Sequence, residues 1–276
     1  MAETAFQTQY RDEFIAGFEQ RESLLRDTVT TEGEVKGNQI TFLVADSGSA
    51  QATTRGVNGL IPARADNLTQ STATLAEWHD LVRRTGFNLY ASQGDGRRIM
   101  QETTMAVLNR KIDQDIITQL NTGTQNTGTT ATTASLALAM KAKVILGNNA
   151  VPGSNLFGLI TPAFHAYLMQ TKEFASADYV SVKRFDGEQQ PMFKWAGITW
   201  IEHPNLPGVG TSAEKCFLYH KSAIGHGCDM TRIATSAGYD EEQDYSFARA
   251  TAYMGSKLLQ NAGVVVINHD GSAFGA

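Results

Sequence analysis

Cys216, His220, His226 and Cys228 are residues of the types that hold a structural zinc ion. Their spacing does not suit one. A zinc ribbon or finger takes its ligands as closely spaced pairs at turns. Here Cys216, Leu218 and His220 alternate with Phe217, Tyr219 and Lys221, as residues of a strand do, so the stretch reads as sheet and no metal is expected. With only two cysteines there is no disulfide framework, and both are expected as free thiols in a reducing compartment. Asp240-Glu241-Glu242 with Asp244 is a hydrophilic run of the kind that forms a solvated loop. His79, His165, His203 and His269 are scattered, with no nucleophile nearby in sequence. Arg83-Arg84, Arg97-Arg98 and Arg110-Lys111 could meet acidic neighbours or phosphate, and the last two fit a solvated helix surface. No G-x-x-x-x-G-K-[ST], G-x-S-x-G or H-E-x-x-H occurs, and Gly208-Val209-Gly210 lacks the third glycine of a dinucleotide turn. Neither a catalytic residue nor a cofactor is expected.

The composition points from chemistry toward surfaces. Charged residues are 18% of the chain, against roughly 25% in an average soluble domain. Charge is depleted at interface cores, so such a composition suits a chain that spends its surface on partners. A net charge of -5 argues against gripping nucleic acid by neutralising phosphates. No apolar run approaches the roughly 20 residues of a membrane span. The start, Met1-Ala2-Glu3-Thr4-Ala5-Phe6, has neither the basic nor the apolar region of a signal peptide, so synthesis in the cytoplasm and no membrane partner are expected. A chain of 276 residues can bury roughly three quarters of its unfolded surface, as one large domain or two intimately joined ones.

The elements follow from periodicity. Phe6, Tyr10, Phe14 and Phe18 form an i, i+4 row, predicting an amphipathic N-terminal helix that packs on its own core or lies across a neighbouring subunit. Residues 39–44 read as a strand. Residues 45–71 are rich in Ser, Ala, Thr, Gly and Asn and cannot fold by themselves. Residues 73–87 return as a strand, although Leu75, Trp78, Leu81 and Val82 break strict alternation. A helix of about 37 Å fits residues 97–121. Its Met100, Leu108, Ile112, Ile116 and Leu120 share a row with Thr104, leaving Glu102, Arg110, Asp113 and Gln114 for water or partners. The Thr/Gly/Asn/Gln stretch 122–135 is a linker between two lobes. Beyond it a helix is expected over 136–146, a strand over 156–160 and a helix capped by Thr161 with Pro162 at its first position. Strands follow at 197–202, 215–221, 247–258 and 264–268. The class is α+β.

Three stretches carry a resemblance: Phe193-Lys194-Trp195-Ala196-Gly197-Ile198 leading to His203-Pro204, the run from Phe217 through Leu218, Tyr219, His220, Lys221, Ser222, Ala223 and Ile224 to Gly225, and the terminal strands over 248–268. With the order of elements, they resemble the HK97-like major capsid proteins of tailed bacteriophages over nearly the whole chain. The resemblance implies an N-terminal arm (1–35), an extended E-loop hairpin (36–75), a P domain with a long spine helix (76–132), an A domain (133–207), and the remainder of the A domain with a return to the P domain (208–276). It further implies a homo-oligomer of hexamers and pentamers forming an icosahedral shell around double-stranded DNA, with a portal protein and, where used, scaffold and decoration proteins as partners. The arm begins at Met1, so a separate scaffold or unassisted assembly is expected in place of a cleaved scaffolding extension. Relatives that cross-link use an E-loop lysine; none occurs between Lys36 and Lys111, so covalent cross-linking is not expected.

Within this resemblance, an isolated subunit would leave arm and E-loop with too little burial to offset their ordering entropy, and laying them over neighbours in a ring supplies it. Phe14, Phe18, Ile40, Phe42, Arg55, Arg64, Asp66 and Trp78 are expected near inter-subunit contacts, the charged hairpin residues above all. The alternatives are an encapsulin-type compartment shell, an enzyme whose site converges only in three dimensions, and a β-rich tail or decoration protein.

Overall fold

The computed structural model describes residues 22–31, 34–47, 50–64, 67–86, 96–175, 192–228 and 234–274. In chain order, β1 (Glu34–Lys36), β2 (Gln39–Asp46), β3 (Asn67–Thr74) and β4 (Ala76–Thr85) precede helix α1 (Gly96–Leu120). Helix α2 (Leu136–Asn148), β5 (Leu156–Ile160), α3 (Pro162–Met169) and the short α4 (Lys172–Ala175) follow. Then come β6 (Met192–Trp195), β7 (Ile198–Glu202), β8 (Glu214–His220), β9 (Ile224–Cys228), β10 (Ala234–Asp240), β11 (Tyr245–Leu258) and β12 (Val264–His269).

The chain divides into two compact units. The first comprises Met1–Leu24, Ala76–Gln114 and Cys228–Met254. Its sheet has the antiparallel order β10-β11-β4, with Tyr245 opposite Thr85 and Met254 opposite Ala76. Ala248, Ala250 and Ala252 alternate along β11 on one face, and Ala250 and Ala252 pack with Leu108, Met105 and Trp78. Lys111 Nζ stands 3.9 Å from the centre of the Trp78 ring, a cation–π contact. On the other face Arg83 lies over Tyr245, Tyr253 donates to Glu77, and His79 Nδ1 meets the Thr251 hydroxyl.

Thr104, Leu108, Ile112, Ile116 and Leu120 of α1 are buried, as the row predicted, and the side chain of Met100, its first member, lies outside the described residues. Asp113, expected to face water or partners, is instead fully buried. The Ser23 hydroxyl donates to one of its oxygens (2.6 Å) and the Leu24 amide to the other (3.1 Å). The helix turns this carboxylate inward because an incoming segment supplies the donors that a buried charge requires.

The second unit comprises Leu25–Leu75, Asp115–Gly227 and Gly255–Ala276. It holds a five-stranded sheet of order β12-β8-β5-β7-β6, parallel only between β5 and β7, and the hairpin sheet β1-β2-β3. Ser135 caps α2 by accepting from Leu138 N, and Thr161 caps α3 by accepting from Phe164 N. Leu138, Ala139, Ala142 and Leu146 of α2 join Phe164, Trp200, Leu218, Val265 and Ile267 in one core. Trp200 lies across Gly158, its register partner on β5, where a Cβ would collide with the indole. The indole N–H donates to Trp195 O, which satisfies the one polar atom of a fully buried ring.

Candidate assembly surface

The hairpin of β2 and β3 is antiparallel from Gln39 opposite Thr74 to Asp46 opposite Asn67. Its burial changes along its length. At the base Ile40 and Phe42, on one face of β2, are 1% and 3% exposed and pack with Ala73. Further out Leu43 and Leu68 are exposed, and every one of residues 50–64 is exposed. A turn closes this stretch: the Gly59 amide donates to Gly56 O (2.9 Å) and the Gly56 amide to Leu60 O (3.0 Å). Leu60 and Ile61, 73% and 69% exposed, stand there with the fully exposed Val57. Five of the eleven exposed large apolar side chains among the described residues lie on this one hairpin.

Of the expected contact residues, Arg55 and Arg64 are on this exposed stretch. Ile40 and Phe42 are buried in the hairpin's own base, where they pack with Ala73. Trp78 is half-buried beneath Lys111 in the first unit. Phe14, Phe18 and Asp66 lie outside the described residues. The expectation passed over Val57, Leu60 and Ile61. Their signal was available: an apolar pair in a segment too polar to build a core must find its burial elsewhere.

Several of the candidates for chemistry are occupied by local structure. His220 Nδ1 accepts from Ser222 N and lies 2.8 Å from its hydroxyl, and His226 Nδ1 meets the Ser256 hydroxyl at 2.8 Å. Cys216 is fully buried; that burial pushes its thiol up to about 12, far from a reactive thiolate. Among the described residues no three His, Cys, Asp or Glu side chains assemble as a metal site. In the acidic run, Asp240 accepts from the Glu242 and Gln243 amides and so builds the β10–β11 turn. Those amides, the Gln243 contact first, hold its carboxyl below the usual range. No described helix is long and apolar enough to cross a membrane.

The family described as "Phage capsid protein" matches residues 2–271. The chain belongs to that family. A solved chain from Mycobacterium phage Che8 is similar to this capsid protein with a TM-score of 0.79 at 16% identity, covering 97% of this chain and 98% of that one. A chain of the cyanophage P-SCSP1u capsid matches at 0.76 and 14% identity over 96% and 93%. The capsid of a native GTA particle matches at 0.73 and 12% identity over 98% and 97%. No curated protein matches the sequence. The fold is the HK97-like α+β fold, and the protein is a major capsid protein that forms the shell of a phage virion. The encapsulin alternative is not favoured.

In this capsid protein the ionisable side chains hold structure together. Glu214 and His269, register partners on β8 and β12, are both fully buried, with His269 Nδ1 2.8 Å from Glu214 Oε2. The same carboxylate accepts the Thr161 hydroxyl (2.6 Å) and the Gly210 amide (2.7 Å). Thus one carboxylate ties the start of α3, the 208–211 loop and the last strand together. Sequence reading left both residues unpaired because they are 55 positions apart.

Proposed function

We propose that copies of this chain close hexameric and pentameric rings of an icosahedral shell, with each hairpin tip lying against a neighbouring copy. The observation that carries this reading is the burial contrast along the hairpin, from Ile40 and Phe42 at its base to Leu60 and Ile61 at its tip. A tip ordered on a neighbour recovers burial that one subunit cannot provide, and many such contacts in a closed shell reinforce one another. Val57, Leu60 and Ile61 supply apolar contact, and Arg55 and Arg64, with Asp66, select the partner surface by charge. Phe14, Phe18 and Trp78 remain proposed contacts of the arm and of the first unit.

In this reading the protein carries out no catalysis, is made in the host bacterial cytoplasm and encloses double-stranded DNA without reading its sequence. A net charge of -5 leaves an acidic container that holds its contents loosely. Its further partners are a portal protein and any scaffold or decoration protein the shell uses. Arg64→Glu tests the tip. Particle yield, counted by electron microscopy, should fall at least tenfold while the thermal midpoint of the soluble subunit stays put. Unchanged yield would count against the reading.

A further inference from the structure

Strand β9, Ile-Gly-His-Gly-Cys, spends two of its five positions on glycine, which weakens a strand interior unless another backbone or ring must come close. Gly225 and Gly227 lie two residues apart and so point to the same face. On that face stand the two buried side chains of the hairpin base. A Cβ on Gly225 would come within 2.7 Å of Phe42 Cζ, and one on Gly227 would overlap Ile40 Cδ1. A third glycine completes the arrangement on the return strand: a Cβ on Gly255 would overlap the carbonyl oxygen of Thr74 in β3. The base is closed further by Leu75 and Leu259, which pack on Ile40, Phe42 and Ala73, and by the Leu75 amide donating to Asn38 O (2.8 Å). Between them β9 and β11 thus meet both hairpin strands at positions without side chains.

We infer that Gly225, Gly227 and Gly255 form a side-chain-free seat that fixes the direction in which the hairpin leaves the unit, and thereby where its tip meets the neighbouring copy. The inference rests on the proposed reading of the hairpin as the contact between subunits. Beyond Phe42 the paired strand runs on for four residues, about 13 Å at 3.3 Å per residue, before the exposed stretch begins. A methyl group at Gly255 meets a main-chain carbonyl that cannot turn aside, and at Gly225 and Gly227 it meets the Phe42 ring and the end of the Ile40 side chain, both buried in the hairpin base with little room to move. The base must therefore tilt or lift, and the displacement grows toward the tip.

The test compares the full chain with Gly227→Ala and with Gly227→Ala combined with Ile40→Val, which removes the Cδ1 that the new methyl meets. Two quantities are read: amide exchange of residues 39–46 and 67–74 in the soluble subunit, and particle yield and diameter by electron microscopy. Gly227→Ala should speed hairpin exchange at least tenfold, leave β5 and β8 unchanged, and cut or distort particles; adding Ile40→Val should recover both. Wild-type exchange in Gly227→Ala, failure of Ile40→Val to rescue it, or loosened exchange with normal particles would each overturn the inference. If Gly227→Ala is insoluble, Gly225→Ala read with Phe42→Leu applies the same criteria. Arg64→Glu acts on the tip and should leave exchange at the base untouched, so failure of the seat and failure of the tip reading are distinguishable.

Discussion

In the five-stranded sheet of the second unit, Trp200 is sealed between Gly158, Phe164 and Trp195, and Phe217, Leu218, Val265 and Ile267 are buried around it. The hairpin of β2 and β3, in the same unit, buries Ile40, Phe42 and Ala73 at its base and leaves residues 50–64 wholly exposed. The first region completes its core with its own side chains. The second has the pairing of a strand but not the burial to hold its far half, and in the proposed reading a neighbouring copy supplies what is missing. In the proposed reading the contrast separates a body stable before assembly from a reaching element that becomes ordered through it.

If this division is right, substitutions in the body should move stability and substitutions at the tip should move assembly. The largest effect is expected at Trp200. Trp200→Ala removes the largest fully buried side chain and should cost about 3–5 kcal/mol in denaturant unfolding, enough to lose soluble protein before any question of assembly arises. A loss below about 1 kcal/mol would break the comparison, since the sheet would then not be the stabilising region.

A smaller effect sharpens the same point through pH. The fold keeps the Cys216 thiol neutral up to about 12, whereas the unfolded chain releases that proton at the ordinary thiol value. At neutral pH both states hold the proton and nothing changes. Above the ordinary thiol range the folded state binds more protons than the unfolded one, so stability falls as pH rises, by up to about 1.4 kcal/mol per pH unit from this group. Cys216→Ala should flatten that alkaline arm. In native protein at pH 8 a thiol reagent should leave Cys216 unmodified until denaturant is added. Rapid native labelling of Cys216 would show that the core opens to solvent.

Much of the framework was legible in the sequence because it rests on local periodicity. The helix expected over 97–121 forms over Gly96–Leu120, and the strand expected over 156–160 forms over Leu156–Ile160. The strand expected over 73–87 forms as β4 over Ala76–Thr85 even though its apolar residues do not alternate cleanly. What was not legible depends on distant partners. Asp113 has the spacing of a solvent-facing helix residue, and only Ser23 and Leu24, some ninety positions away, turn it inward. Residues 67–71 look like a polar loop, yet they pair with β2 because the hydrogen bonds of a ladder do not depend on side-chain polarity. Ile40 and Phe42 were singled out only as contacts between subunits, and their packing on Gly225 and Gly227 was not legible, because a glycine has no side chain for a pattern to register. At the tip, the charged residues drew attention and the apolar pair Leu60-Ile61 did not.

The division is tested most directly by Leu60→Asp combined with Ile61→Asp, measured as the thermal unfolding of the soluble subunit beside electron microscopy and light scattering of concentrated protein. The account predicts a subunit stability within about 0.5 kcal/mol of wild type and loss of closed shells that the wild-type chain forms under the same conditions. Shells of normal yield and diameter from the double variant would contradict it.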